Sequence, residues 1–152
     1  MDLADILSPE VIESDLKAAT RWEAIDELIG DLVAAGKIKP EHRDAIINVI
    51  KKRESSMSTG IGFGIAIPHC SSDRLEEVVA AFGRSNTGIE FDALDNAPVK
   101  FVVLFIVPKN QFQTHLRTLA SIAKFLNDRS VRESLASAKS ADEILSIFRD
   151  RS

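Results

Sequence analysis

The stretch Ile61-Gly62-Phe63-Gly64-Ile65-Ala66-Ile67-Pro68-His69-Cys70 is the most informative part of this chain. Its alternating glycines let the backbone reach positive φ and approach a neighbour closely, and the apolar run predicts a short strand near residues 65–67. Pro68 then restricts the backbone immediately before His69. Because an imidazole titrates near neutral pH and can act as a nucleophile, we predict that His69 is the reactive group. The alternative is a structural histidine at the end of a strand.

The composition is that of an ordinary globular protein. Of the 152 residues, 45% are hydrophobic and 28% are charged, and we expect residues 1–152 to form a single domain with a sizeable core. The formal net charge of −4 argues against a general nucleic-acid binder, which needs concentrated basic surface. Cys70 is the only cysteine, which excludes an internal disulfide and a cysteine-rich zinc site.

The location that these features suggest is the cytoplasm. A single free cysteine fits a reducing compartment. The acidic N-terminus lacks the basic and apolar segments of a signal peptide. No apolar stretch approaches the ~20 residues that a membrane helix requires, so we expect no direct insertion into a membrane.

Helical patterns occupy both ends of the chain. The capping box Thr20–Glu23 predicts a helix running towards residue 36, and a second helix should open at Pro40 and end at Arg53, before a polar loop over residues 54–59. Further helices are expected over residues 112–126 and 130–138 and from the capping box Ser140–Glu143. The helix over 112–126 should bury an apolar stripe of Leu116, Leu119, Ile122, Ala123 and Leu126.

Strand patterns lie between these helices. Residues 77–84 and 99–107 are rich in β-branched and aromatic side chains, and the second run is apolar on both faces, as in a strand covered on both sides. We therefore predict an α/β protein with a mixed β-sheet flanked by helices.

Two other residues are candidates for a site around His69. His115 lies in the first turn of the helix predicted after Pro108, where ligands and anions often bind, although it could also be a partly exposed histidine without a role. Arg53 precedes the glycine-rich stretch and could hold a phosphate through its planar guanidinium, or merely complement the helix dipole. His42 has charged neighbours, and we expect it on a solvated face.

Several familiar ligand motifs are absent. The glycine spacing leads into Pro68 and not into a helix, so it is not a dinucleotide-binding fingerprint, and neither a Walker loop nor a Gly-x-Ser-x-Gly elbow occurs. A metal site of His69, Cys70, Asp73 and His115 is conceivable by ligand type, but the adjacent His69 and Cys70 would converge on one ion with difficulty. We expect neither a metal nor a cofactor.

Six runs of sequence, taken together and in order, carry a resemblance to a known family. They are Arg53-Glu54, Ser58-Thr59-Gly60-Ile61-Gly62, Gly64-Ile65-Ala66-Ile67-Pro68-His69, Phe91-Asp92-Ala93-Leu94-Asp95-Asn96-Ala97-Pro98-Val99, Leu104-Phe105-Ile106-Val107-Pro108 and Thr114-His115-Leu116-Arg117-Thr118-Leu119-Ala120. The chain resembles the fructose- and mannitol-type enzyme IIA domains of the bacterial phosphotransferase system, among them the nitrogen-regulatory enzyme IIA.

The resemblance implies a mixed sheet flanked by helices and a phosphocarrier activity. His69 would accept a phosphoryl group from the phosphohistidine of a small carrier protein, HPr or its nitrogen-branch paralogue. His69 would then pass the group on, in sugar systems to a cysteine of an enzyme IIB domain. His115 and Arg53 match family positions, and we expect both to stabilise the phosphoryl oxygens. The tautomer of His69 should be influenced by a backbone carbonyl or by His115.

The type of enzyme IIA is a further expectation. No enzyme IIB or membrane segment accompanies the matched residues, which favours the nitrogen-regulatory type, whose phosphorylation state would control binding to regulatory target proteins. The alternatives are a separate fructose-type subunit and a non-catalytic binding module on the same fold.

Cys70 departs from the family pattern, because many relatives have glycine after the histidine. If that position requires positive φ, a cysteine there costs about 1 kcal/mol or more. We expect Cys70 to be a small buried side chain in preference to a redox-active one.

Overall fold

A six-stranded mixed β-sheet organises the computed structural model, which describes residues 3–151. The strand order is β1-β5-β6-β3-β2, and β4 also pairs with β6. The strands are β1 (Ile12–Glu13), β2 (Gly60–Gly62), β3 (Ile65–Ala66), β4 (His69–Ser72), β5 (Val79–Ile89) and β6 (Val99–Pro108).

Strand β6 is the centre of the sheet. It pairs antiparallel with β5 on one side and parallel with both β3 and β4 on the other. Residues 101–108 are all buried, and because successive side chains of a strand point to opposite faces, β6 is covered on both faces. The register places His69 beside Phe105. The start of β4 therefore lies well along β6, close to its carboxyl end.

Within residues 3–151, six helices surround the sheet. They are α1 (Leu3–Ile6), α2 (Arg21–Ala34), α3 (Arg43–Ser56), α4 (Phe112–Asn127), α5 (Arg129–Ser137) and α6 (Ala141–Arg151), with 3-10 turns at Pro9–Val11, Pro40–His42 and Lys109–Gln111. Helix α2 packs on β5, α3 on β4, α4 on β6 and α6 on β1. The predicted fold class, a mixed sheet flanked by helices, is confirmed.

Both predicted capping boxes begin helices, but only the first is complete. The Thr20 hydroxyl accepts the Glu23 backbone N–H at 3.2 Å, and the Glu23 carboxylate accepts the Thr20 N–H at 3.1 Å. At the start of α6, the Ser140 hydroxyl accepts the Glu143 N–H at 3.1 Å. The Glu143 carboxylate bonds the backbone N–H of Lys139, one residue before the cap.

The structure corrects the predicted ends of two elements. Helix α3 continues to Ser56, so the expected loop begins later and Arg53 lies within the last turn. The polar sequence stays helical there because Glu54, which local pattern assigned to the loop, is buried and bonded at this end of the helix. Strand β5 begins at Val79 and runs to Ile89, beyond the predicted end, because its pairing with β6 continues after an irregularity that follows Arg84.

Local sequence pattern did not predict strands β2 and β4. Both strands are short, and β4 has no apolar alternation, so they exist through pairing with β3 and β6 and not through a local pattern.

Local sequence pattern also predicted the wrong buried face for part of α4. In α4 the buried side chains are His115, Thr118, Ile122 and Leu126, whereas Leu116 is 42% exposed. The prediction that Leu116 is buried was wrong, because His115 occupies the inward position of the first turn. Within residues 3–151, no helix combines the length and apolarity that a bilayer crossing needs.

Candidate active site

The glycine-rich segment is anchored to the sheet by its turn. Phe63 and Gly64 both have positive φ, at 58° and 77°. The Gly64 carbonyl accepts N–H bonds from Lys100 and Phe101 at 2.8 and 2.9 Å. At Gly60 a Cβ atom would lie 2.7 Å from the Cβ of Ala93, so the close approach of β2 to the loop that holds Ala93 requires glycine. These contacts hold the start of β3 against β6.

Pro68 lies directly before the point where His69 pairs with β6. Proline lacks an N–H, which interrupts the ladder between β3 and β4, but its carbonyl accepts the N–H of Phe105 at 3.0 Å. The chain therefore stays paired with β6 on both sides of the interruption. His69 is the first residue of β4, and its position follows from the backbone pairing.

The His69 ring is oriented by the backbone two residues earlier. Its Nδ1 atom lies 2.8 Å from the Ile67 carbonyl oxygen. Because a carbonyl oxygen only accepts, Nδ1 carries the proton in the neutral ring and Nε2 keeps its lone pair. Of the two groups predicted to influence the tautomer, a backbone carbonyl or His115, the structure places the Ile67 carbonyl at Nδ1.

The electrostatic surroundings keep this ring neutral. Burial is the main cause that lowers the pKa of His69, and the positive charge of Arg53 lowers it further. The hydrogen bond to Ile67 and the negative charge of Glu54 oppose this shift without cancelling it. A neutral imidazole with a free Nε2 has the form that a nucleophile needs.

His115 shares a pocket with His69. It lies in the first turn of α4, is buried, and meets the ring of Phe105 edge-on with a centroid distance of 6.0 Å. Its Nδ1 atom is buried and has no hydrogen-bond partner among residues 3–151. The residues that line the pocket are His69, Cys70, Phe105, Val107, Phe112, His115, Leu116 and Leu119.

Arg53 lies close to this pocket but does not line it. The half-buried Arg53 donates through Nη1 to the carbonyl oxygen of Met57 at 3.0 Å, at the residue that follows α3. Its charge is near enough to lower the pKa of His69. The structure thus brings the two histidines into one pocket and leaves the guanidinium of Arg53 bound to its own loop.

Cys70 is a packed side chain of β4. It is 7% exposed, and burial raises the pKa of its thiol to about 12, so almost none of the reactive thiolate forms near neutral pH. Among the described residues that carry a side-chain carbon, positive φ occurs at Phe63, Asp92 and Asn96. The condition for strain at Cys70 is therefore not met, because a strand conformation suits any residue, and the expected buried role is confirmed.

His42 belongs to a different part of the surface. It ends the 3-10 turn before α3 and lines a wide cleft together with Lys37, Lys39 and Arg74. The residue is half-buried, and its Nδ1 atom is buried. The expected solvated face holds in part, because His42 lines a surface cleft while its Nδ1 atom is buried. In the described part of the chain, no group of three or more histidine, cysteine or acidic side chains is arranged to hold a metal ion.

Glu54 is the residue near the site that sequence reasoning missed. It is 1% exposed and accepts hydrogen bonds from Thr59. A signal was present, because Glu54 continues the four-residue spacing of the buried Ile46 and Ile50 in α3. Because Glu54 is polar, it was predicted to belong to the loop over residues 54–59.

A match to a family model decides which protein family the chain belongs to. The model of the phosphoenolpyruvate-dependent sugar phosphotransferase system, EIIA 2, covers residues 5–151. The chain belongs to this enzyme IIA family.

Relatives of this enzyme IIA include a sugar-specific protein and a regulatory one. The fructose-specific enzyme IIA component of Haloferax volcanii is 36% identical, with 97% of this chain and 97% of that protein aligned. The nitrogen regulatory protein of Bradyrhizobium diazoefficiens is 31% identical over 97% of this chain and 95% of its own length. The family assignment is therefore shared by sugar-specific and regulatory proteins.

Solved structures give the same result for the enzyme IIA fold. The nitrogen regulatory protein IIA-Ntr of Neisseria meningitidis superposes with a TM-score of 0.87 at 29% identity, covering 96% of this chain and 98% of that one. The mannitol enzyme IIA of Escherichia coli, solved in complex with phosphorylated enzyme IIB, superposes with a TM-score of 0.78 at 29% identity, covering 95% and 98%. By family and by fold, this chain is thus an enzyme IIA component of a phosphotransferase system.

Proposed function

We propose that this enzyme IIA is a phosphocarrier that accepts a phosphoryl group on Nε2 of His69. The observation that supports this most directly is the hydrogen bond between His69 Nδ1 and the Ile67 carbonyl. It leaves Nε2 unprotonated, in a ring that shares its pocket with a second, buried histidine. The whole chain, residues 1–152, is proposed to act as one enzyme IIA domain.

The donor in this proposal is the phosphohistidine of an HPr-like carrier, and the reaction needs little covalent chemistry from the protein. The lone pair of His69 Nε2 forms the new N–P bond while the N–P bond of the donor breaks. The donor ring, protonated on its other nitrogen, takes back the electron pair and leaves as neutral imidazole. His69 keeps its Nδ1 proton and its bond to Ile67, so protons and charge balance. Alignment and charge stabilisation are the protein's main tasks.

His115 and Arg53 are the proposed stabilisers of the phosphoryl oxygens. The buried Nδ1 atom of His115, which has no hydrogen-bond partner in the part of the chain that the structure describes, is a group that an incoming oxyanion would satisfy. The guanidinium of Arg53 holds one carbonyl oxygen and has further N–H groups for a phosphoryl oxygen. Both residues would bind charge that develops on the oxygens in the transition state.

The partners are proposed to dock on the apolar side chains around the site. Met57, Phe112 and Leu116 are 68%, 38% and 42% exposed, which is unusual for large apolar residues. One proposed acceptor is an enzyme IIB domain, since the mannitol relative was solved in complex with phosphorylated enzyme IIB. The other is a set of regulatory target proteins. We propose a cytoplasmic location, in keeping with the single unpaired cysteine.

The nitrogen-regulatory type is the favoured assignment. Its support is the superposition on IIA-Ntr of Neisseria meningitidis, with a TM-score of 0.87 against 0.78 for the mannitol enzyme. The second candidate is a fructose-type subunit, supported by the 36% identity to the Haloferax volcanii component. Mixing the phosphorylated protein with a fructose-type enzyme IIB separates the two. Rapid transfer to the enzyme IIB cysteine would favour the sugar role.

The test of the phosphocarrier role is direct labelling. Incubation with phosphorylated HPr should place an acid-labile, alkali-stable phosphate on the wild-type protein. The variant His69→Gln should take up none, while His42→Ala should label like wild type. Absence of label on the wild-type protein, under conditions that phosphorylate a known enzyme IIA, would indicate a non-catalytic binding module.

A further inference from the structure

Glu54 carries a buried carboxylate with several hydrogen-bond donors around it. The side chain is 1% exposed and lies in the last turn of α3. Its oxygens accept the Thr59 N–H at 2.9 Å, the Thr59 hydroxyl at 2.5 Å and Arg21 Nη1 at 3.3 Å. A buried carboxylate is tolerated only when it is bonded in this way, so these contacts hold the carboxylate and Thr59 together.

Thr59 connects this carboxylate to the reactive histidine. Its carbonyl oxygen accepts the Ile67 N–H at 3.1 Å, and the Ile67 carbonyl in turn accepts the Nδ1–H of His69 at 2.8 Å. The residues thus form a continuous path from Glu54 through Thr59 and Ile67 to His69. The phosphocarrier mechanism proposed above makes no use of Glu54.

We propose that Glu54 is a positioning residue that clamps Thr59 and thereby keeps the Ile67 carbonyl where it holds His69 in the Nδ1–H tautomer. Thr59 is buried and bonded on both sides, by the carboxylate at its N–H and by Ile67 at its carbonyl. A shift of Thr59 therefore moves the Ile67 peptide and weakens the bond that fixes the ring. Glu54 touches no reacting atom, and the catalytic meaning of the proposal rests on the phosphocarrier role.

The simpler explanation is that Glu54 only ties two helices together. Arg21 lies on α2 and Glu54 on α3, so their ion pair joins these helices. The structure offers a matched control, because Lys51 on α3 and Asp26 on α2 form a second ion pair at 2.8 Å. Neither residue of that pair contacts Thr59 through a hydrogen bond in the described part of the chain. A role in helix packing alone predicts that breaking either pair leaves the tautomer of His69 unchanged.

The test is 15N NMR of the His69 ring in the unphosphorylated protein. Wild type and the control Asp26→Asn should show predominantly the Nδ1–H tautomer. Glu54→Gln removes the negative charge, so charge-assisted hydrogen bonds to Thr59 and Arg21 become weaker neutral ones, the hold on Thr59 loosens and the Nε2–H fraction should increase. Should Glu54→Gln not fold, Thr59→Val decides by the same measurement, since it removes the hydroxyl contact alone. A tautomer ratio equal to that of wild type in the deciding variant overturns the proposal.

Phosphoryl acceptance from phosphorylated HPr provides the second measurement. Glu54→Gln should accept about tenfold more slowly than wild type, because a displaced nucleophile loses alignment, and Asp26→Asn should be unaffected. Equal rates for Glu54→Gln and wild type also overturn the positioning role. If the wild-type protein takes up no phosphate at all, the proposed function fails, and the tautomer measurement still decides whether Glu54 positions the ring.

Discussion

The Nδ1 atom of His69 and the carbonyl oxygen of Ile67 lie 2.8 Å apart, only two residues away from each other in the chain. The backbone itself therefore orients the imidazole, with Pro68 between the two residues restricting the chain. Nε2 is left free for chemistry while Nδ1 is held. The first three predictions below concern this ring and its neighbours His115 and Arg53.

The pH dependence of His69 follows from its surroundings. Burial and Arg53 lower the pKa of the ring, so its NMR titration should have a midpoint below the ordinary histidine value of about 6.5. The rate of phosphoryl acceptance should be constant above that pH and fall below the midpoint, as the nucleophile is protonated. This group's contribution to stability should decrease in the same direction, because the unfolded chain takes up the proton at higher pH. A midpoint above 6.5 would contradict this description of the site.

His115→Ala should slow phosphoryl acceptance by about 10²–10³-fold, since one donor to a developing oxyanion is removed. The rate of label uptake from phosphorylated HPr measures this effect. His42→Ala is the matched control, because that histidine lines a separate cleft, and it should react at the wild-type rate. Equal rates for the two variants would exclude a role for His115 in transfer.

Arg53→Gln should raise the pKa of His69, because a positive charge that lowers it is lost. The same variant should slow phosphoryl acceptance by about 10²-fold. Arg53→Lys, which retains the charge without the planar fork, should leave the pKa closer to that of wild type. Lys52→Gln removes the neighbouring exposed cation and serves as control. An unchanged His69 titration in Arg53→Gln would show that the two side chains are not electrostatically coupled.

Cys70 should be inert in the folded protein. Because burial raises the pKa of its thiol to about 12, alkylation by iodoacetamide at pH 8 should be slower than in the unfolded chain by about a hundredfold or more. Cys70→Ala should accept phosphate at nearly the wild-type rate, since the side chain contributes packing alone. Rapid alkylation of the native protein would instead indicate an accessible thiol in the pocket.

Arg84 should contribute strongly to stability. This buried residue of β5 donates to the carbonyl oxygens of Ser14 and Leu135, each at 2.9 Å, and to that of Ala138. Arg84→Met leaves these carbonyls without a donor and should cost about 3 kcal/mol. Such a loss lowers Tm by about 6–12 °C in a protein of this size, which thermal unfolding monitored by circular dichroism can measure.

The control for Arg84 is an arginine of similar chemistry at the surface. Arg129 forms an exposed pair with Glu133 within α5, and its side chain is 86% exposed. Arg129→Met should change Tm by little, because exposed ion pairs contribute only about 0–1 kcal/mol. A Tm for Arg84→Met close to that of Arg129→Met would contradict the assigned role.

Local pattern was sufficient for much of the fold. The capping box at Thr20, the helix after Pro108 and the apolar central strand all depend on residues a few positions apart, and the structure has each of them. The choice of His69 as candidate nucleophile also came from neighbours in the chain. Its role remains a prediction, and the structure adds the geometry that makes it testable.

By itself, the sequence determined the longer helices, the two long strands and the candidate residues, because helix caps, strand patterns and the Pro-His junction are short-range properties of the chain. Tertiary structure alone decided that β4 pairs with β6, that His115 turns inward in place of Leu116, and that Glu54 is buried. The physical reason is distance along the chain, since Glu54 meets Arg21 across 33 positions. A buried charge is stable only where distant donors converge on it, and no local pattern reports such convergence.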